Sequence, residues 1–260
     1  MILKGRAAIV TGGGRGIGRA IAEKLAAEGA AVLVTARSES EVALVAEEIQ
    51  KAGGRAVAVA ADVSREVDCE RIVRNAHESF GAIHILVNNA GTYGPVKPAE
   101  EISTSEWDEV ICVNLRAPFL MSRLVLPGMY ERKAGVILNI TSIAGKAAFQ
   151  LGSPYAASKA GLAGLTRTLA AEGARKGVRV NALSPGPVPE TEMSKELGRG
   201  LAEYFHADNE TLFKAMVQGI LQGRPQTAVE IAAAALFLVS DASSAITGQT
   251  LNVDGGMAFY

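Results

Sequence analysis

Short, continuous apolar runs alternate with helical stripes along almost the whole chain, and this rhythm limits the possible folds more than any other feature. Apolar runs occupy residues 7–10, 31–34, 56–61, 83–87, 136–140 and 178–183. They are continuous, not alternating, as expected of strands buried on both faces. Between them, Ile17, Ile21 and Leu25 recur at helical spacing, as do Val42, Val45 and Ile49. Cys69, Ile72, Val73, Ala76 and Phe80 make a further stripe. Gly29 and Gly53-Gly54 are placed to end the first two helices. Two long helices rich in small residues are predicted over about residues 105–130 and 155–176, another over 231–239, and a last short strand over 251–253. Strands alternating with helices predict an α/β fold with a parallel sheet covered on both faces. Right-handed crossovers then make it a doubly wound, Rossmann-type sheet.

Composition limits the function classes. The chain has 260 residues, 48% hydrophobic and 20% charged, with a net charge of -1. That is enough apolar material for one sizeable core, and residues 1–260 read as a single domain. The near-zero charge gives no footprint for nucleic acid or an anionic membrane surface. No stretch reaches about 18 consecutive apolar residues, so no membrane span is expected. The two cysteines, Cys69 and Cys112, form no framework and no metal spacing. Together with an N-terminus that enters its first strand at once, they lead us to expect a cytoplasmic protein. The rhythm breaks once, over residues 187–222, which are polar with scattered Pro and Gly. An irregular insertion of that length is expected to form a lid over a site.

The first apolar run leads into Thr11-Gly12-Gly13-Gly14-Arg15-Gly16-Ile17-Gly18. Glycines let a pyrophosphate approach the backbone, and the following helix N-terminus offers free N–H groups and partial positive charge. Gly12, Gly16 and Gly18 are spaced G-x-x-x-G-x-G, and the strand–turn–helix context points to dinucleotide binding. Four further motifs follow in order. Asn88-Asn89-Ala90-Gly91 closes the fourth strand, and Asn114 lies in the first long helix. Ser142 ends the fifth strand, with Tyr155-Ala156-Ala157-Ser158-Lys159 opening the next helix. Pro185-Gly186 follows the sixth strand, and Val253-Asp254-Gly255-Gly256 lies near the end.

In this set of motifs and their spacing the chain resembles the short-chain dehydrogenase/reductase family, over nearly its whole length and most nearly its 3-oxoacyl-acyl-carrier-protein reductase members. The resemblance implies a catalytic set of Asn114, Ser142, Tyr155 and Lys159. It implies a cofactor site of Gly12, Arg15, Gly16, Ile17, Gly18, Arg37, Ser38, Asp62, Val63, Asn89, Ala90, Gly91, Tyr155, Lys159, Pro185, Gly186, Val188 and Thr191, with no metal. Lys159 would also hold the nicotinamide ribose, and Asn114 a water linking Lys159 to solvent. Relatives run Pro-Gly, two residues, then Glu-Thr; here Pro187-Val188-Pro189 put three residues before Glu190-Thr191.

The residues themselves support this chemistry. Tyr155 and Lys159 are four apart and share a helix face. A free phenol titrates at about 10, so a nearby ammonium and a positive nicotinamide are expected to favour the phenolate. Tyr155 could then exchange a proton with a substrate oxygen that Ser142 positions. The expected reaction interconverts a ketone and a secondary alcohol. A 3-oxoacyl carrier-protein thioester is one substrate; a polyol, sugar or hydroxy acid, with NAD, is the alternative. A nicotinamide-binding sensor without turnover is the remote third reading.

The second strand ends Thr35-Ala36-Arg37-Ser38. An NAD site normally carries an acid there for the ribose 2′-hydroxyl. Ala36 occupies that position, while Arg37 and Arg15 offer charge-assisted bonds to a 2′-phosphate. NADP(H) is therefore expected, with NAD(H) as the alternative, although Glu39 and Glu41 would oppose a phosphate if they turn inward. His77, His84 and His206 share no metal spacing, and Glu190, Glu192 and Glu196 read as a solvated face. The two long small-residue helices allow close packing between copies; with the family's habit, this leads us to expect a homotetramer, with a homodimer as the second reading.

Overall fold

A computed structural model describes residues 1–259. Seven parallel strands form one sheet in the order β3-β2-β1-β4-β5-β6-β7. They are β1 (Ala7–Thr11), β2 (Ala31–Ala36), β3 (Arg55–Ala60), β4 (Ile85–Asn88), β5 (Gly135–Ile140), β6 (Val178–Pro185) and β7 (Thr250–Val253). The continuous apolar runs are satisfied as expected, since each of β1 to β6 feeds two cores. Ala8, Val10, Val32 and Val34 face one core with Ile21, Leu25, Val45 and Leu238. Ile9 and Leu33 face the other with Ile72, Met121, Met129 and Leu169. Helices α1 (Gly16–Ala27), α2 (Glu39–Lys51) and α9 (Ala228–Val239) contribute to the first core; α3 (Glu66–Phe80), α5 (Ala117–Arg132) and α6 (Ser153–Gly173) to the second.

The strand order reverses between β1 and β4, whose C-terminal ends therefore open a crevice. Polar bonds inside the second core fix the helices beside it. Asn88 Nδ2 donates to Asn139 Oδ1 at 2.8 Å, and Asn139 Nδ2 donates to Thr166 Oγ1 at 2.9 Å. All three residues are buried. The chain thereby spaces α6 from β4 and β5 with partnered polar groups, each costly to leave unpaired.

Three expectations need correction. The helix over 105–130 is a composite of α4 (Thr104–Ile111), a π-helical turn at Cys112–Arg116, and α5. Pro118 has no N–H, and the Ala117 N–H reaches back five residues to Cys112. The whole run Thr104–Arg132 is long and apolar enough to cross a bilayer by length and composition; half of its most apolar window is buried inside the protein. Second, the insertion at 187–222 is largely helical, with α7 (Glu192–Phe205) and α8 (Asn209–Gln218). Thr191 and Asp208 cap them, accepting from the N–H groups of Ser194 and Thr211. Met193, Leu197 and Leu201 already carried i,i+4 spacing that the polar composition hid. Third, Glu190 is exposed as expected but is not merely solvated: Oε1 accepts the Ala228 N–H at 2.7 Å, at the first residue of α9. His84 precedes β4 and accepts the Ala7 N–H on Nδ1 at 3.0 Å.

Candidate functional site

The crevice at the strand reversal widens into a cavity of about 600 Å³. One end is the glycine loop. Gly12 has φ +63°, which an L side chain rarely adopts. A Cβ on Gly18 would overlap the Gly12 carbonyl oxygen and the Asn89 amide, so the loop closes on α1 only without one. Thr11 braces it from below: Oγ1 donates to the Val87 carbonyl and accepts from the N–H groups of Asn89 and Ala90. Asn89 Nδ2 donates to the Thr11 and Gly12 carbonyls. Thr11 was not among the expected site residues, although the motif that contains it was read.

Arg15 sits at the N-cap of α1 with no side-chain cap, and the first turn carries no acid. The open N–H groups of that turn, the glycine backbone, Arg15 and Arg37 form a donor set suited to a dinucleotide's phosphates. The cavity wall also includes Gly16, Ile17, Ala36, Ser38, Asp62, Val63, Ala90 and Gly91. Ser38 is engaged as the cap of α2, accepting the Glu41 N–H at 3.3 Å, and Glu41 has turned inward to within 3.7 Å of Arg15.

At the other end the structure brings Ser142, Tyr155 and Lys159 into one wall, beside Pro185, Gly186, Val188 and Thr191. The extra residue before Thr191 does not displace it: its methyl lies against Gly16, joining the start of α7 to the glycine loop. Ser142 Oγ accepts the Ala144 N–H at 3.2 Å. Lys159 Nζ donates to the Ile140 carbonyl at 2.9 Å and stands 5.6 Å from the centroid of the Tyr155 ring. Asn114 is fully buried; Oδ1 accepts the Thr92 N–H, while Nδ2 donates to the Thr92 carbonyl and to Ser158 Oγ. Its side chain thus ties the π turn to α6. Its backbone carbonyl lacks the usual helical donor, because the residue four on is Pro118.

The electrostatics differ from the sequence expectation. Burial pushes Lys159 down to about 8, and burial also raises Tyr155, against a smaller opposing effect of the Ser142 hydroxyl. The ammonium is itself penalised by desolvation and is directed at the Ile140 carbonyl. Burial by the protein alone thus favours the neutral phenol at Tyr155; the positive nicotinamide of the expectation would act in the opposite direction.

Sequence reading missed the apolar cluster packed beside Tyr155. Tyr93, Ala144 and Tyr155 form a buried cluster that Val96, Phe149, Met193 and Leu197 pack against. The Tyr93 and Tyr155 rings are 5.0 Å apart, and Phe149 meets Tyr93 edge-on at 6.0 Å. Tyr93 lies two residues beyond the Asn-Asn-Ala-Gly run, and only its aromatic character in a loop signalled it. Its hydroxyl is buried with no partner among the described residues. His206 is exposed at the left-handed C-terminal cap of α7. Glu192 pairs with Lys195 and Arg199.

A family profile described as short chain dehydrogenase matches residues 6–202. The chain belongs to the short chain dehydrogenase family. It is 39% identical to a protein assigned as the ketoacyl reductase of the monensin polyketide synthase of Streptomyces virginiae, covering 98% of both chains. It is 38% identical to the 3-oxoacyl-acyl-carrier-protein reductase FabG of Vibrio harveyi, covering 99% of both. A solved structure of a variant actinorhodin polyketide ketoreductase with NADPH superposes with a TM-score of 0.94, at 35% identity over 98% of each chain. The chain is thus an oxidoreductase acting on CH–OH groups with a nicotinamide cofactor, built as a Rossmann-type sheet.

Proposed function

We propose that this oxidoreductase reduces an apolar ketone to a secondary alcohol with NADP(H), using Tyr155, Ser142, Lys159 and Asn114. The observation that carries the reading is the shared cavity. The glycine loop, Arg15 and Arg37 line one end, and Ser142, Tyr155 and Lys159 line the other. A reduced nicotinamide held between them would supply the hydride for the carbonyl carbon. Tyr155 donates its phenolic proton to the carbonyl oxygen as negative charge develops there. Ser142 donates a hydrogen bond to the same oxygen. Lys159 would hold the cofactor ribose, and Asn114 keeps the π turn and α6 in register.

The NADP(H) assignment rests on Ala36 standing where an acid would grip the ribose, and on Arg37 beside it in the cavity wall. A relative's NADPH supports it. Met193 in the cavity wall, and the apolar cluster of Tyr93, Phe149, Val96 and Leu197 packed behind it and Tyr155, favour an apolar ketone over a sugar or polyol. A carrier-protein thioester is the subclass that the relatives favour. The helices at 192–218 act as the lid, and the chain works as a cytoplasmic homotetramer. Exposed Trp107, Phe119, Phe237 and Leu251 on α4, α5, α9 and β7 offer apolar faces for that assembly.

The test is kcat/KM for a panel of ketones and alcohols with NADPH and NADH, in wild type and Arg37→Ala. The expected result is preference for NADPH and apolar ketones, with the cofactor preference falling about tenfold in the variant, mainly through KM. A wild-type preference for NADH, or for polyols, overturns this reading.

A further inference from the structure

The adenosine end of the cavity contains a carboxylate for which the cofactor reading has no use. Glu41 lies in the first turn of α2, and its Oε1 is 3.7 Å from Arg15 Nη1. Its Cβ lies against Gly14, and it lines the cavity together with Arg37 and Ser38. Among the described residues Arg37 has no carboxylate partner. Of the two guanidiniums at this end, one is therefore half neutralised and the other is open. The helix N-terminus favours a negative charge at Glu41 whether or not Arg15 stays paired. A phosphate placed between the two arginines would displace Glu41 from Arg15 and would face its carboxylate as a like charge.

We infer that Glu41 is a specificity-determining residue: its carboxylate competes with a 2′-phosphate for Arg15 and holds the NADP(H) preference below what two free arginines would give. The inference rests on the NADP(H) reading above. It also accounts for a site that pairs two arginines with an inward acid. Phosphate affinity and discrimination against the unphosphorylated cofactor are tuned down together, while the acid at the Ala36 position stays absent. The Glu41 backbone N–H, not its side chain, completes the Ser38 cap, so replacing the side chain leaves α2 capped.

The test is calorimetric titration of 2′,5′-ADP and 5′-AMP into wild type, Glu41→Gln and Glu41→Asp, at low and high salt. Glu41→Gln is expected to tighten 2′,5′-ADP about tenfold at low salt, or about 1.4 kcal/mol, and to leave 5′-AMP within about twofold. Glu41→Asp, with its carboxylate drawn back, is expected to give a smaller gain. High salt should shrink both gains, because the repulsion is partly exposed. Unchanged or weaker 2′,5′-ADP binding in Glu41→Gln overturns the inference. So does weaker 5′-AMP binding, which would make Glu41 a partner of the adenosine ribose. A wild type that binds 5′-AMP more tightly than 2′,5′-ADP contradicts the NADP(H) reading instead. The Glu41 inference is decided separately, by the change from wild type to variant.

Discussion

The glycine-loop region and the helical insertion are built in opposite ways. Around the loop, Thr11, Asn89 and Gly18 lock the ends of β1 and β4 to α1 by side-chain-to-backbone bonds and close contacts. In the insertion, α7 and α8 bury no residue fully. They are attached at their ends, by Thr191 against Gly16 and by the Gln226 N–H bonded to the Pro187 carbonyl. Between those ends, Met193 and Leu197 rest on the Tyr93–Tyr155 cluster. A region with few buried contacts opens at low cost, whereas a packed loop holds its geometry. The rigid part is thus suited to placing the cofactor and the proton donor, and the loosely held part to covering and selecting the substrate.

The largest expected effect tests the rigid part. Tyr155→Phe should lower turnover by about 10²–10⁴-fold and leave NADPH affinity nearly unchanged. Steady-state rates with a parallel binding titration check this. Equal loss of binding would mean that the phenol holds the cofactor instead of donating a proton.

Next is Lys159, whose burial is an energetic liability without cofactor. Its folded-state value of about 8 lies below the ordinary 10.5. The unfolded chain therefore binds the proton more readily between those values, and this lysine destabilises the fold most below pH 8. The penalty is about 3 kcal/mol on the charged form, fading as pH rises towards 10.5. Loss of the bond to the Ile140 carbonyl offsets part of it in Lys159→Met. Denaturant melts of wild type and Lys159→Met should therefore differ in the variant's favour more at pH 7 than at pH 10. A pH-independent difference would contradict the desolvation.

Two helix glycines sharpen the comparison directly. Gly18→Ala forces a Cβ into the Gly12 carbonyl and should cost about 1–3 kcal/mol. Gly198, on α7, has nothing within 4 Å of such a Cβ, so Gly198→Ala should stabilise by up to about 1 kcal/mol. Thermal melts of both variants read the contrast, and equal shifts would abolish it. The smallest effect concerns Tyr93. Its buried hydroxyl has no partner among the described residues and is a small cost to the fold, so Tyr93→Phe should raise Tm slightly. A lower Tm would show that the hydroxyl has a partner.

The rigid part was legible in the sequence because its constraints are local. A continuous apolar run, a glycine that must lack a Cβ and a tyrosine four residues before a lysine each carry their reason within a few positions. Residues that act across long sequence separations were not legible. Glu190 caps a helix 38 residues away. Tyr93 meets Phe149 and Tyr155 only through the packing of two loops and α6. The i,i+4 spacing of Met193, Leu197 and Leu201 was present, but polar neighbours diluted it until α7 read as loop. The depressed Lys159 depended on burial depth, which residue spacing does not carry.

The central claim is that one cavity binds NADPH at the glycine loop and presents a ketone to Tyr155 at its other end. A single-turnover experiment tests it most directly, mixing NADPH-loaded protein with excess apolar ketone and following the nicotinamide absorbance. The expected result is stoichiometric oxidation of the bound NADPH with formation of the alcohol, slowed about 10²–10⁴-fold in Tyr155→Phe. Tight NADPH binding with no oxidation by any ketone of the panel would contradict the claim and mark the protein as a nicotinamide sensor.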